Sequence, residues 1–159
     1  MVPNLWLIPI EEVAGLMGGI EQIMTIVAVK IDSDATGIAL FLLNEENASK
    51  LASTLSTQDK NSVLEEIVNI IIGAALTSLS NFLKLKLIQS IPASATDMLR
   101  AIINEIVAQM GEQTDEVLLL KVSLQAKEIE VIADLYFIFD PASSKKIIIS
   151  CNAQVENNG

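Results

Sequence analysis

The sequence predicts an α+β fold in which a largely antiparallel sheet carries one long helix. The evidence for the sheet is two runs rich in Ile, Val and Leu, from about Gln22 to Leu43 and from about Val117 to Phe139, each interrupted by one turn-forming segment. The evidence for the helix is that apolar residues recur at helical spacing from Ser62 to about Leu83. Because 159 residues suffice for one core but not comfortably for two, we expect a single domain over residues 1–159.

The first half of the chain predicts a short strand, a hairpin and a helix. The short strand covers about Leu5 to Ile10, and the hairpin pairs about Gln22 to Ile31 with Ile38 to Leu43. Residues 32–37 are rich in Asp, Ser and Gly and supply the turn between these strands. Asn44 caps a helix that continues to about Leu55, and the polar residues 57–61 then break it.

Beyond the long helix, the second half predicts one more strand, a helix, a second hairpin and a final element. The strand ends at Pro92, because proline lacks the N–H group that sheet pairing needs. The helix is indicated by Met98, Ile102, Ile106 and Met110, which recur every four residues. The predicted bounds are a strand at 87–91, a helix at 95–110, strands at 117–125 and 129–139, and a helix or short element after Pro141.

A weak internal repeat indicates that the two halves are related. The segment Phe41 to Asn44, followed by Ser49 and Lys50, is similar to Phe137 to Asp140, followed by Ser144 and Lys145. This similarity predicts two strand-hairpin-helix units at about residues 1–57 and 62–151. The second unit is preceded by the long helix, and the sequence ahead of the first unit contains no counterpart.

Composition excludes several classes of function. Ten basic and twenty acidic residues give a net charge of −10, and no basic run exceeds Lys145-Lys146, so a nucleic-acid partner is not expected. The absence of histidine removes the commonest general base and zinc ligand, and the single Cys151 excludes an internal disulfide or a cysteine metal cluster. Apolar runs such as Ile70 to Leu76 are shorter than the ~20 residues that cross a bilayer. We therefore expect a cytoplasmic protein without membrane insertion and without a metal site of its own.

Polar residues form a stripe along one face of the long helix. At about 100° per residue, Ser62, Glu66, Asn69 and Gly73 fall within about 60° of one another. A carboxylate and a carboxamide one turn apart, beside a glycine, indicate a face that meets another surface. The residues predicted for the opposite, buried face are Leu64, Ile67, Val68, Ile71, Ala74, Ala75 and Phe82.

Each residue of the stripe also has an ordinary structural interpretation. Glu66 alone is most often a solvated helix carboxylate. Ser62 is more simply the N-cap of the helix, with Glu65 three residues later completing a capping box. Pro92 can serve only to end a strand, and Gly73 can serve close helix packing. Asn69 is harder to explain in this way, because Asn is a poor residue within a helix and needs a polar partner.

The spacing of four residues resembles a family motif. Ser62, Glu66, Asn69 and Pro92 reproduce the pattern Asp/Ser-x3-Glu-x2-Asn-x22-Pro of the CheC/CheX/FliY phosphatases of chemotaxis. The resemblance implies a CheC-like fold and hydrolysis of the aspartyl phosphate of a CheY-like response regulator. It implies that Asn69 orients the attacking water and that Glu66 pairs with a lysine of the regulator, while Ser62, Gly73 and Pro92 support the motif.

The resemblance also implies which partners and cofactors to expect. The phosphorylated regulator is the main partner and brings any Mg²⁺, so this chain needs no cofactor of its own. A CheD-like deamidase is a further candidate partner. CheC-type proteins have two active helices, and this chain resembles one without the first, so it has one site at most.

Two departures from the family pattern bear on function. Val68 replaces the usual glycine before Asn69, and we expect its bulk beside the active face to weaken docking. The missing first helix leaves an apolar strip on the sheet, which predicts a homodimer or a tight heteromeric partner that covers it. Both departures also favour an alternative, namely a non-catalytic adaptor that binds a response regulator or a flagellar-switch module related to the FliM middle domain.

Overall fold

A computed structural model describes residues 4–18, 21–55 and 59–158. Within these ranges the chain forms seven strands and five α-helices, and short 3-10 turns cover Ile10–Glu12 and Lys127–Ile129. Part of the predicted break at residues 57–61 lies outside the described residues. The strands are β1 (Asn4–Pro9), β2 (Ile23–Ser33), β3 (Gly37–Leu43), β4 (Leu87–Gln89), β5 (Ala93–Met98), β6 (Glu116–Ala126) and β7 (Val131–Phe139), and the helices are α1 (Val13–Met17), α2 (Glu45–Leu55), α3 (Lys60–Leu83), α4 (Leu99–Ala108) and α5 (Pro141–Asn158).

The strands of the described residues form one antiparallel sheet, which confirms the predicted α+β class. Its order is β1-β6-β7-β3-β2-β4, and β5 also pairs with β2. The two short strands share the outer edge of β2, because β5 pairs with residues 23–28 and β4 with residues 31–33. The long helix α3 therefore connects α2 to the strands at this edge.

The sheet has an internal pseudo-twofold arrangement. Strands β1, β6 and β7 correspond in order and connection to β5, β2 and β3, and the two sets meet where β3 pairs with β7. Helices α4 and α5 correspond in the same way to α1 and α2. Among the described residues, α3 has no helix that corresponds to it.

Helices cover both faces of the sheet. Strand β7 shows the division, because Phe137 and Phe139 face α3 and α5 while Tyr136 and Ile138 face α1 and α4. Both sets of side chains are buried. The sheet is thus the central layer, and α3 lies on the face that carries α2 and α5.

The start of α3 differs from the predicted capping box. Asp59 is the N-cap, and its Oδ2 accepts a hydrogen bond from the Ser62 backbone N–H at 3.2 Å. Ser62 thus lies three positions inside the helix. The Glu65 carboxylate accepts hydrogen bonds from the backbone N–H of Ser94 at 3.1 Å and from its hydroxyl at 2.6 Å, so it ties α3 to β5 rather than capping the helix.

The predicted helix at 95–110 was wrong at its beginning. Residues 93–98 form β5, and the helix α4 begins at Leu99 and ends at Ala108. Pairing with β5 satisfies the backbone groups of β2 between Ile23 and Ala28, which outweighs the helical spacing that starts at Met98.

Helix α3 buries one side and leaves the other side open. Its buried residues are Val63, Leu64, Val68, Ile72, Leu76 and Leu83. The prediction that Ala74 and Phe82 are buried was wrong, because Ala74 is exposed and Phe82 is 46% exposed on a flank that no described element covers. By length and composition alone α3 could cross a membrane, and its buried side packs on the sheet.

Candidate functional site

The polar stripe of α3 lies at the surface. Ser62, Glu66 and Asn69 are exposed, and Gly73 is half-buried. Ile70 lies on the same side of the helix and is 67% exposed. The carboxylate, the carboxamide and one apolar side chain are therefore all accessible to an approaching protein.

Gln89 completes the site, and the motif did not indicate it. It is the last residue of β4, which pairs with β2 beneath α3. Its side-chain Nε2 donates a hydrogen bond of 2.6 Å to Asn69 Oδ1 and one of 3.3 Å to the Asn69 backbone oxygen. The only signal in the sequence is a polar residue in a short strand, three positions before Pro92.

Gly73 provides the space that Gln89 occupies. A Cβ atom at this position would lie 3.3 Å from Gln89 Oε1, which is closer than an ordinary van der Waals contact. Of the two interpretations of Gly73, clearance for a visitor and close internal packing, the contact with Gln89 supports packing.

Pro92 and Ser62 lie at the margins of the site. The Ser90 N–H donates to the Lys30 carbonyl at 2.8 Å, and the Ser90 hydroxyl accepts from the Lys30 N–H at 2.9 Å, so contact with β2 continues just past β4. Pro92 then separates β4 from β5, and its neighbour Ile91 is 89% exposed. The Ser62 hydroxyl is 3.3 Å from the Asp59 carboxylate and belongs to the helix cap.

Val68 lies on the opposite side of α3 from the site. It is fully buried in the cluster between α3 and the sheet. The expectation that its bulk lies beside the active face was therefore wrong, and an effect of Val68 on docking stays a prediction. Val68 follows Glu66 by two positions, which corresponds to a rotation of about 200° around the helix axis. Val68 therefore faces the sheet while Glu66 faces outward.

The charged groups at the start of α3 form a local pair. Lys60 Nζ lies 3.3 Å from Glu45 Oε2. The Thr25 hydroxyl, and then Lys60, donate hydrogen bonds that hold the pKa of the Glu45 carboxyl below its ordinary value. This pair ties the first turn of α3 to α2.

Comparisons with known proteins show which family the chain resembles. The model of the CheC-like family matches residues 60–93, which contain α3, β4 and Pro92. The chain is also 24% identical over 168 residues to the CheY-P phosphatase CheC of Bacillus subtilis, an alignment that covers 97% of this chain and 80% of the relative. The chain is thus similar to proteins of the CheC/CheX/FliY family, and the family model matches it over the segment that carries the polar stripe.

Solved structures share the fold of this chain. Thermotoga maritima FliY superposes with a TM-score of 0.71 at 17% identity, over 97% of this chain and 81% of FliY. The FliM middle domain of Vibrio alginolyticus superposes with a TM-score of 0.56 at 11% identity, over 91% of this chain and 79% of that domain. At these identities the structural likeness concerns the fold alone.

Proposed function

We propose that this chain is a phosphatase that hydrolyses the aspartyl phosphate of a chemotaxis response regulator. One observation carries the proposal: Glu66 and Asn69 are exposed together, one turn apart, within the segment that the family model matches. The likeness to a CheY-P phosphatase supports the choice of substrate.

The chemistry requires positioning more than covalent catalysis. An acyl phosphate is already activated, so a catalyst needs only to hold a water molecule in line with the phosphorus atom. The Asn69 carboxamide would meet the phosphoryl group or that water. The Glu66 carboxylate would pair with a lysine of the regulator and fix the docked geometry. The regulator would bring Mg²⁺, and Ile70 would add an apolar contact beside the site.

A phosphate-release assay tests this function. The substrate is a phosphorylated CheY-like regulator from the same organism, and the reference is the regulator's own decay. We expect Asn69→Ala and Glu66→Ala to abolish most of the acceleration. The matched controls are Asn104→Ala and Glu105→Ala, two exposed positions on α4 across the sheet, which should keep it. An unaccelerated decay with the wild type would refute the proposal.

The alternative function is a binding module without catalysis. The fold that the chain shares with the FliM middle domain supports this alternative. The same assay separates the two functions. Saturable binding of the phosphorylated regulator without faster phosphate release would establish the binding module.

We further propose that two copies of the chain pair through an apolar groove. Two hollows of about 320 and 240 Å³ lie along the open flank of α3 and along β6. One wall of the larger hollow is formed by α3 and Phe139 of β7, and the rest by residues of β1, β6 and α5. These three elements correspond to β5, β2 and α2, which α3 itself contacts. From Ile67 to Leu83 α3 has no charged residue. The uncharged flank of α3 is thus an apolar ridge, and the two hollows beside it form an apolar groove. Under twofold symmetry the ridge of each copy can pack into the groove of the other.

Mass measurement in solution tests the pairing. We expect a dimer whose association strengthens with added salt, because salt screens the repulsion between two chains of net charge −10. Phe82→Glu, at the edge of the groove, should give a monomer. Ile132→Glu is the control, since Ile132 is similarly exposed, at 56%, but does not line the groove. A monomeric wild type would refute the pairing.

A further inference from the structure

The hydrogen bonds of Gln89 determine which end of each carboxamide faces the other. Gln89 Nε2 contacts two oxygens of the same residue, Asn69 Oδ1 at 2.6 Å and the Asn69 backbone oxygen at 3.3 Å. A backbone carbonyl only accepts hydrogen bonds. The end of Gln89 next to it must therefore be the NH₂ group, because the opposite orientation would place Oε1 against this oxygen.

The orientation of Gln89 in turn fixes that of Asn69. Since Nε2 donates, the end of the Asn69 carboxamide that faces β4 must be its oxygen. The NH₂ group of Asn69 then points away from Gln89. Asn69 is exposed, so its NH₂ group remains accessible to an approaching protein.

We propose that Gln89 is a positioning residue that presents the NH₂ end of Asn69 to the phosphorylated regulator. This inference rests on the proposed phosphatase function and specifies how its amide works. The terminal torsion of a free Asn side chain is broad and roughly two-fold, so an unrestrained carboxamide would present either end. A phosphoryl oxygen and the oxygen of an attacking water both accept from an N–H group, and the held orientation supplies that donor without reorganisation at the moment of reaction.

The backbone around Gln89 supports this role. Gln89 lies opposite Ile31 in the sheet, and the next residue continues the contact with β2. On the other side, Gly73 leaves just enough space for Oε1. The Gln89 side chain is thus held between the edge of the sheet and α3.

Three substitutions of Gln89 separate orientation from packing. Gln89→Ala removes the hydrogen bond and lets Asn69 rotate, and Gln89→Met keeps the length of the side chain without the donor. Gln89→Glu keeps the shape but can only accept when ionised, so it should bind the Asn69 NH₂ group and turn the oxygen outward. If Gln89 served only packing, Gln89→Glu would be the mildest change and Gln89→Ala the most severe.

We expect the opposite order. With a CheY-like phosphorylated regulator, Gln89→Ala and Gln89→Met should each lower kcat by about fivefold, the value of one ordinary hydrogen bond. Gln89→Glu should lower it further, and KM should change by less than about twofold in all three, because Glu66 and Ile70 still dock the regulator. A Gln89→Glu enzyme as active as the wild type, or a loss confined to KM, would overturn the inference.

A second measurement does not depend on activity. In ¹⁵N-labelled protein, the side-chain NH₂ resonances of Gln89 should shift in Asn69→Ala and stay unchanged in the control Asn104→Ala. Unshifted Gln89 resonances in Asn69→Ala would overturn the inference even if the enzyme is active. The wild type could prove inactive while the Gln89 resonances still shift in Asn69→Ala. This result would refute the phosphatase proposal but support the hydrogen bond by which Gln89 orients the Asn69 carboxamide.

Discussion

Two apolar residues of α3, two positions apart, test the division of the helix into a buried and a presented side. Val68 is fully buried and Ile70 is 67% exposed. Replacing Val68 by Ala removes two methyl groups at about 0.8 kcal/mol each and leaves a small cavity, so the expected loss is about 2 kcal/mol. The same replacement at Ile70 should change the free energy of unfolding by less than about 0.5 kcal/mol, since that side chain already meets water.

Urea unfolding followed by circular dichroism measures both effects. A loss of about 2 kcal/mol corresponds to a Tm about 4–8 °C lower for a chain of this size. The slope of the free energy of unfolding against urea concentration should stay the same in both variants, because neither changes the surface exposed on unfolding. The phosphate-release rate should stay normal in Val68→Ala, while Ile70→Ala should raise KM. Equal stability losses at the two positions, or a Val68→Ala variant that loses activity but not stability, would refute this assignment of faces.

The remaining predictions concern the helix cap, a buried phenol and the glycine of the site. Asp59→Ala should lower the free energy of unfolding by about 1 kcal/mol, whereas Ser62→Ala should change it by less than about 0.5 kcal/mol; a larger loss at Ser62 would restore it as the cap. Burial raises the pKa of Tyr136 to about 12, so ultraviolet titration of this single tyrosine should give a midpoint well above the ordinary value, and its contribution to stability should be complete below pH 10 and lost as pH rises toward about 12. A midpoint at the ordinary value in folded protein would mean that the phenol is solvated. Gly73→Ala should displace the Gln89 side chain and lower kcat about as much as Gln89→Ala, and full activity would show that the space is not needed.

The sequence predicted the elements whose signal is local. Both hairpins and the long helix followed from alternation or helical spacing within single segments, and β2, β3 and α3 were found close to their predicted bounds. The exposure of Glu66 and Asn69 also followed, because helix geometry alone places them on one face.

The errors arose where a distant segment decided the outcome. Residues 95–98 carry a helical pattern, but the unpaired edge of β2 makes them a strand. Asp59 and Ser62 both suit an N-cap by residue type, and the sequence around them does not decide between the two. Gln89 could not be assigned to the site from its own neighbours, because its role depends on a contact with Asn69 across twenty residues of chain.

All the parts of the site lie in one short stretch, from the cap at Asp59 to Pro92, and this stretch rests on an edge of the sheet. Because the segment is contiguous, it can be copied to another position in the chain as one piece. The opposite half of the sheet has an equivalent apolar hollow beside β6 and α5. A copy of residues 59–92 joined ahead of β1 should pack in that hollow. Its product would be a single chain with two sites, in which the added helix replaces the second copy in the groove.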